Sequence, residues 1–296
     1  MLVSSFLFRL AMSISIFQVA HAFKPLSVLS WNVNGLRSFL KHDPTGNVLR
    51  SLLTSRKVDV LCFQETKIQG SHQEELALEL TSKFGMCRSY WSSSTARKGY
   101  SGTAVFMFDK LSNNEVVTYG IGDVLGDSEG RAITIETDRY SLVNTYVPNS
   151  GPELAKLDYR TSTWDAQLAR HINQLKAKRP HFPVILTGDL NVAHGARDYY
   201  NPHEPRTKKQ AGTTPQEQAS FGTTLLQGCS LVDTFRAQYP TTRTFSYFGS
   251  RLGDRGRKEK MGMRLDYVLL SQPLTPALGA APIKFDAFIE DEVSNS

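Results

Sequence analysis

Five apolar runs in the sequence carry polar side chains at or near one end, and these side chains are the candidates for chemistry. The runs read LSVLSWNVN, VDVLCFQE, SLVNTYVPN, VILTGDLN and RLDYVLL, and their polar groups are Asn32, Asn34, Glu65, Tyr146, Asn149, Asp189, Asn191 and Asp266. A single Asp-Leu-Asn favours an ordinary turn, because Asn and Asp commonly leave strands through turns. Five such ends favour a shared site, because strand ends converge on one rim in layered α/β folds.

These residue types fit metal-assisted attack of water on a phosphodiester. Glu65 offers oxygen ligands of the kind that Mg²⁺ prefers, and this ion binds few protein groups and keeps several waters. Asp189 can orient a water molecule or accept its proton. The amides of Asn32 and Asn191 can bond phosphate oxygens without adding negative charge, and such donors stabilise the charge that grows on the phosphate.

The elements that must position these groups are predicted from hydrophobic periodicity. Strands are predicted at Leu26–Trp31, Val58–Phe63, Thr103–Phe108, Ala132–Glu136, Leu142–Val147, Val184–Thr187 and Leu265–Leu270. Helices are predicted at Val48–Lys57, Gln73–Phe84, Leu154–Lys178 and Pro215–Leu226, the last with a capping signal in Thr214 and Glu217. Alternating strands and helices predict an α/β fold. Asp198–Gly212 and the basic segment Gly249–Gly262 are predicted to be long loops.

Composition sets broad limits on the class of protein. The chain has 296 residues, 40% of them hydrophobic and 21% charged, which is ordinary for a soluble globular protein of one or two domains. Its net charge of +6 permits a polyanionic partner but does not require one. Three cysteines give no disulfide framework, which favours a reducing compartment.

Residues 1–22 differ in character from the rest of the chain. They contain no acidic residue, one arginine and an apolar stretch that ends in Ala20-His21-Ala22, which is typical of a secretory signal or an organelle-targeting segment. A start at Met12 is the alternative explanation. The apolar stretch is interrupted by Arg9 and is too short for a membrane span. The folded domain is predicted to cover residues 26–293.

Seven ordered blocks resemble the exonuclease III / AP endonuclease family of the endonuclease–exonuclease–phosphatase superfamily. They are LSWNVNGLR, QETK, GYSGTAVF, YVPNSG, TGDLNVAH, AGTTPQE and MRLDYVLLS. The resemblance implies two mixed β-sheets packed face to face with helices outside, a four-layer sandwich. It implies a monomeric enzyme of base excision repair that binds double-stranded DNA and cleaves it 5′ to an abasic site, with possible 3′–5′ exonuclease activity. Mg²⁺ is the implied cofactor, with Mn²⁺ as a substitute. This function predicts a nucleus or a DNA-containing organelle as the compartment.

The resemblance also implies a role for individual residues. The implied metal-site residues are Glu65 and Asn34; the catalytic residues are Asp189, Asn191, Tyr146, Asn32 and Asp266; the DNA-binding residues are Arg37, Tyr100 and Asn149; and the lining of the abasic-sugar pocket is Phe245, Met263 and Leu265. Met263 stands where the family commonly has Trp, which predicts a looser pocket. His194 follows the DLN motif, but relatives with another general base also carry it, so packing or hydrogen bonding is the preferred interpretation.

The family's last block, Gly-Ser-Asp-His, would by spacing follow Ser296, so the resemblance predicts a chain that lacks its final strand and its catalytic histidine. Asp266 would orient that histidine. Two alternatives therefore stay open. One is a catalytically impaired DNA-binding protein, and the other is a phosphodiesterase of the same superfamily with another substrate.

Overall fold

The computed structural model describes residues 26–108, 114–249 and 253–271. In these residues the strands are β1 (Val28–Asn32), β2 (Val60–Gln64), β3 (Arg88–Ser92), β4 (Thr103–Met107), β5 (Val116–Tyr119), β6 (Ala132–Glu136), β7 (Ser141–Tyr146), β8 (Val184–Asp189), β9 (Leu231–Asp233), β10 (Tyr247–Phe248), β11 (Gly262–Met263) and β12 (Asp266–Ser271). The α-helices are α1 (Leu36–His42), α2 (Asn47–Ser55), α3 (Gln73–Phe84), α4 (Val124–Ser128), α5 (Asp165–Lys178), α6 (Pro215–Ser220), α7 (Thr234–Gln238) and α8 (Gly253–Lys258).

Two mixed sheets form the body of the protein. One has the strand order β1-β2-β4-β3, with β1 and β2 parallel and the other pairs antiparallel. The other has the order β5-β6-β7-β8-β12-β9, with β7 and β8 as its parallel pair. Strands β10 and β11 form a separate two-stranded ladder.

Alternation along the strands explains why the sheets are covered on both faces. In β2, Val60 and Cys62 belong to the buried cluster between the sheets, whereas Leu61 and Phe63 belong to the cluster under α1, α2 and α3. The outer face of the six-stranded sheet is covered in the same way by α5 and the turn Phe221–Gln227. Successive side chains of a strand point to opposite faces, so one strand contributes side chains to two buried cores. The predicted four-layer α/β sandwich is therefore confirmed.

A buried polar contact joins the two sheets. The side-chain amide of Asn144 on β7 donates to the carbonyl oxygens of Phe63 and Ala104 at 3.1 and 3.0 Å, and accepts from Gln64 Nε2 at 2.7 Å. Gln64 also donates to Ser30 Oγ at 3.0 Å. Asn144 and Gln64 are fully buried. Because unpaired buried amides are costly, this bonding restricts how the sheets can slide over each other.

Several predicted elements need correction. The predicted helix Leu154–Lys178 consists of a 3₁₀ turn (Pro152–Leu154), a π-helical turn (Tyr159–Trp164) and α5. The predicted helix Pro215–Leu226 changes from α6 to a π-helical turn at Phe221. The predicted loop Gly249–Gly262 contains α8, and Asp198–Gly212 contains a 3₁₀ turn at Pro205–Lys209.

Other predictions fall on residues that the structure does not describe. The targeting segment 1–22 lies outside the described residues, and these residues do not test the predicted loss of a final strand and histidine beyond Ser296. Within the described part of the chain, no helix is long and apolar enough to cross a membrane.

The end of β8 depends on a residue without a side chain. Gly188 has φ +134°, and a Cβ added there would lie 1.9 Å from the carbonyl oxygen of Thr145 on β7. Gly188 is paired with Thr145 on one side and with Tyr267 on the other. A larger residue would therefore push β8 away from β7 one position before Asp189.

We expect Gly188→Ala to lower the free energy of unfolding by about 3 kcal/mol, because it adds a backbone clash and an unfavourable φ. Urea unfolding would measure this loss. Gly195→Ala is the matched control, because its added Cβ meets Asp198 Oδ2 at an ordinary 3.7 Å. Equal stability of the two variants would contradict this account of the β8 end.

Candidate active site

The ends of five strands meet at one edge of the sandwich. Asn32 ends β1 and is paired with Gln64, which ends β2 directly before Glu65. In the other sheet, Tyr146 at the end of β7 is paired with Asp189 at the end of β8. Because β12 runs antiparallel to β8, its first residue, Asp266, is also paired with Asp189.

The amide of Asn32 connects carboxylates from the two sheets. Its Nδ2 atom donates to Glu65 Oε1 at 2.9 Å and to Asp189 Oδ2 at 2.8 Å. Its Oδ1 atom accepts from the backbone N–H of Asn34 at 3.0 Å. The structure thus places Asn32, Glu65 and Asp189 within hydrogen-bonding distance of one another through this amide. Both hydrogens of the amide are used by the carboxylates.

Lys67 is a site residue that the sequence analysis missed. Its Nζ atom lies 3.1 Å from Glu65 Oε2 and 2.5 Å from Asn34 Oδ1. The ammonium therefore joins the two residues that the resemblance implied for a metal site. The only sequence signal is a lysine two positions after Glu65 in QETK.

The turn after β8 holds Asn191 against Asp189. The backbone N–H of Asn191 donates to Asp189 Oδ1 at 2.9 Å, and its side-chain amide donates to the Val147 carbonyl oxygen at 2.9 Å. Asn149 then donates from Nδ2 to Asn191 Oδ1 at 2.9 Å. Asn149 is exposed, whereas Asn191 is buried. These bonds connect an exposed polar group to the buried carboxylate.

The clustered carboxylates change the acidity of two aspartates. Burial raises the pKa of Asp189 to about 6, with a further increase from Glu65, although hydrogen bonds from Asn191 and Asn32 lower it. Burial also raises the pKa of Asp266, followed by the charges of Asp189 and Glu65. The Oδ1 atom of Asp266 has no hydrogen-bond partner among the described residues. Ionising these groups together is therefore unfavourable without a nearby cation.

A buried arginine connects two predicted site tyrosines. Arg131 lies over the ring of Tyr146 at 4.7 Å and donates from Nη2 to the Tyr100 hydroxyl at 3.0 Å. Glu129 Oε2 accepts from Arg131 Nε at 2.6 Å. Burial, followed by the charges of Glu65 and Asp189, raises the pKa of Tyr146. The Tyr146 phenol therefore keeps its proton and remains a hydrogen-bond donor. Arg131 lies inside no polar motif, so the sequence alone gives no signal for it.

Left-handed backbone is concentrated in the loops around this site. Non-glycine residues with φ between +47° and +55° there are Asn34, Glu65, Lys67, Ser101 and Asn191. Such conformations cost energy for residues with a Cβ and recur at functional sites. Here they occur just after β1, β2 and β8 and just before β4, where the chain turns at the edge of the sheets.

The three predicted pocket residues lie together on the β10–β11 side of the site. Leu265 is buried in a cluster with Ala193, Tyr199 and the half-buried Met263. Phe245 is also buried. A Cβ added at Gly262 would lie 2.7 Å from the Cβ of Phe245, so there is no room for a side chain at Gly262. Ser246 Oγ accepts from the backbone N–H groups of Leu265 and Asp266 at 3.0 and 3.1 Å. The pocket wall is therefore tied to the start of β12.

A buried ion cluster anchors this wall, and sequence reasoning did not find it. Arg264 donates to Asp198 Oδ1 at 2.8 Å and to Asp233 Oδ2 at 2.7 Å, and all three residues are buried. Its guanidinium also stacks on the ring of Tyr267 at 4.3 Å. Paired buried charges of this kind leave Met263 and Leu265 little freedom to move.

Two further residues of the sequence analysis have clear positions. Arg37 is exposed on the first turn of α1, two residues after Gly35, whose positive φ of +111° is readily adopted by glycine. The ring of His194 packs against Phe221 with centroids 4.9 Å apart, and burial lowers the pKa of His194. The interpretation of His194 as a packing residue is therefore confirmed.

Comparison with known proteins gives a consistent result. Residues 29–288 match the Endonuclease/Exonuclease/phosphatase family. The chain is 37% identical over 266 residues to a DNA repair nuclease of Danio rerio, a match that covers 90% of this chain and 79% of that protein. It is 38% identical over 267 residues to an exodeoxyribonuclease of Bacillus subtilis, with 90% and 96% covered.

A solved structure supports the same assignment. The crystal structure of an AP endonuclease from Leishmania major aligns with a TM-score of 0.73 and 31% identity, and the alignment covers 91% of this chain and 84% of that chain. The sheet order, the clustered strand ends and these matches agree, and the chain belongs to the endonuclease/exonuclease/phosphatase family.

Proposed function

We propose that this protein hydrolyses the phosphodiester on the 5′ side of an abasic site in double-stranded DNA, using Mg²⁺, for which Mn²⁺ can substitute. The observation that carries the proposal is the Asn32 amide, which bonds Glu65 and Asp189 at 2.9 and 2.8 Å and so joins the residue proposed to bind the metal to the residue proposed to activate water. Relatives named as a DNA repair nuclease and an exodeoxyribonuclease support it. A 3′–5′ exonuclease activity of the same site is part of the proposal.

Glu65 and Asn34 are the proposed metal-site residues. Their oxygens already share one cation, the Lys67 ammonium, which shows that positive charge is accommodated between them. Within the described residues, no group of three or more His, Cys, Asp or Glu side chains could hold a metal. Few protein ligands suit Mg²⁺, which keeps several of its waters. When bound, Mg²⁺ would polarise the scissile phosphate and neutralise its growing charge.

Asp189 is the proposed group that orients the attacking water and accepts its proton. A pKa of about 6 suits this role, because a general base works best when its pKa lies near the working pH. Asn191 fixes the carboxylate through its backbone N–H at 2.9 Å. Asp266 lies beside this pair, and its Oδ1 atom, which has no hydrogen-bond partner among the described residues, could bond a further catalytic group.

Neutral and cationic donors are proposed to bind the phosphate. Tyr146 keeps its proton because burial and nearby carboxylates raise its pKa, so it can donate to a phosphate oxygen without adding negative charge. Asn32 is a second proposed phosphate ligand. In that role it would release one of the two carboxylates that its amide now bonds.

The DNA-binding surface is proposed to extend outward from these groups. Tyr100 is connected to the site through Arg131, Asn149 is connected through Asn191, and Arg37 is exposed on α1. Phe245, Met263 and Leu265 are proposed to contact a flipped-out abasic sugar, because chemistry at such a site requires the nucleotide outside the stack. The protein is proposed to act as a monomer.

A cleavage assay tests the function. We expect the protein with Mg²⁺ to cut a duplex that carries one abasic-site analogue, at the phosphodiester on the 5′ side of the analogue. Intact duplex, RNA and inositol phosphates should be cut more slowly. Glu65→Gln should slow the cut by about 100-fold or more, because it removes the charge that binds the metal. Glu79→Gln, exposed on α3, is the control.

The outcomes of this assay separate the alternatives. Tight binding of abasic duplex without any cleavage would favour the DNA-binding protein over the enzyme. Faster hydrolysis of RNA or inositol phosphates than of abasic DNA would favour another substrate for the same site.

Asp266→Asn should stabilise the fold while it disables the site. The pKa of Asp266 is raised on folding, so the ionised carboxylate destabilises the folded state above that pKa, and the penalty disappears below the unfolded pKa of about 3.9. In EDTA at pH 8 we expect the thermal midpoint of Asp266→Asn to exceed that of the unmodified protein by about 2 °C or more. The difference should vanish as the pH falls towards about 4.

Asp138→Asn is the control for this measurement, because Asp138 is exposed in the turn between β6 and β7. A lower midpoint for Asp266→Asn at pH 8, or a gain that grows on acidification, would contradict the electrostatic explanation.

A further inference from the structure

Arg160 makes an unusual contact with the main chain of the candidate active site. It lies in the π-helical turn Tyr159–Trp164 and is 1% exposed. Its guanidinium donates from Nη1 to the carbonyl oxygen of Asn191 and from Nη2 to that of Leu190, both at 2.7 Å. These two carbonyls belong to the turn that directly follows Asp189. One side chain therefore binds two backbone carbonyls next to the proposed water-activating carboxylate.

The turn that Arg160 binds contains a strained residue and is hydrogen-bonded directly to Asp189. Asn191 has φ +48°, a left-handed conformation that needs support from its surroundings. The same residue donates its backbone N–H to Asp189 Oδ1 at 2.9 Å. A shift of the Asn191 carbonyl would move this N–H, and with it the carboxylate. Arg160 thus acts on Asp189 through two hydrogen bonds. One is its own bond to the Asn191 carbonyl oxygen, and the other is the bond from the Asn191 N–H to Asp189 Oδ1.

Glu217 holds Arg160 in place and ties two more site loops to it. Its Oε1 atom lies 3.5 Å from Arg160 Nη1 and accepts from Ser150 Oγ at 2.6 Å. Its Oε2 atom accepts from the backbone N–H groups of Gly212 and Thr214 at 2.8 and 3.1 Å. Glu217 is 0% exposed. Ser150 directly follows Asn149, so the carboxylate connects this loop, the AGTTPQE segment and the turn after β8.

This bonding exceeds what helix capping requires. The capping box of α6 uses the Thr214 and Glu217 side chains alone. The Oε1 atom of Glu217 and the guanidinium of Arg160 take no part in this helix cap. Replacing a buried ion pair by apolar groups is often neutral for stability, so stability gives a weak reason for this pair. The acceptors of Arg160 are two carbonyl oxygens beside Asp189, and this position is a stronger reason for the pair.

We propose that Arg160, held by Glu217, is a positioning residue for phosphodiester hydrolysis: it fixes the turn that aims Asp189 and Asn191. This inference rests on the proposed function. Arg160 acts through the main chain of Asn191, because its buried guanidinium bonds main-chain carbonyls and not the Asp189 carboxylate itself. A displacement of about 1 Å by a change outside the reacting groups can cost about 100-fold in rate.

Single-turnover cleavage of abasic duplex tests the proposal. We expect Arg160→Met to lower the rate by about 100-fold and to change the dissociation constant for DNA by less than about threefold. Arg160→Lys should recover part of the loss, because an ammonium can still bond one of the two carbonyls. Arg88→Met is the matched control. Arg88 pairs with Glu115 at 2.6 Å at the opposite end of the four-stranded sheet, and its loss should leave the rate unchanged.

A double variant separates positioning from general stability. If Arg160 acts by aiming the Asp189 carboxylate, Arg160→Met combined with Asp189→Ala should be no slower than Asp189→Ala alone, within about threefold. Multiplied losses, or a folded Arg160→Met protein with an unchanged rate, would overturn the proposal. If Arg160→Met does not fold, Glu217→Gln provides the same test, because it keeps oxygen for the cap and removes the charge.

Amide hydrogen exchange gives a readout that does not depend on cleavage. Arg160→Met should speed exchange in the peptide that spans residues 189–193 and leave β4 unchanged. A protein that does not cleave abasic DNA, but shows this local loss of protection, would defeat the proposed function and keep the positioning role. Unchanged exchange at residues 189–193 would overturn the positioning role itself.

Discussion

The side-chain amide of Asn32 is the contact on which the site depends. It donates one hydrogen to Glu65 in its own sheet and the other to Asp189 in the opposite sheet. Without these donors, the two carboxylates would face each other with little between them. The amide can bridge them only because the sheets meet in one alignment, which the buried contact of Asn144 with Phe63, Ala104 and Gln64 supports.

The fold tolerates an unfavourable concentration of negative charge at this edge. Asp189 and Asp266 have raised pKa values because they are buried near Glu65 and each other. Part of the compensation comes from two cations: the Lys67 ammonium lies 3.1 Å from Glu65, and the charge of Arg160 behind the turn after β8 lowers the pKa of Asp189. Proteins commonly accept such a loss of stability at a functional site. The same charge would attract a divalent metal ion.

The sequence allowed much of the fold to be predicted, and less of the site. Buried strands such as β2 and β8 read as continuous apolar runs, and the polar residues at their ends gave the site's carboxylates and amides. Short edge strands such as β5 and β9 carry too few residues for a periodic signal. Lys67, Arg131 and Arg160 were missed because their roles come from contacts with distant residues, not from a local pattern. Arg160, for example, bonds carbonyls 30 and 31 positions away.

The pH dependence of cleavage by Asn32→Leu tests the central claim most directly. In the unmodified protein, the rate with saturating Mg²⁺ should fall on the acid side of the profile as Asp189 gains a proton, at a pH below its metal-free pKa of about 6, because a bound cation favours the ionised carboxylate. The Asn32 hydrogen bond lowers this pKa, so its removal should move the acid limb of the profile to higher pH. A folded Asn32→Leu protein whose acid limb stays at the unmodified position would contradict the claim that this amide lowers the pKa of Asp189.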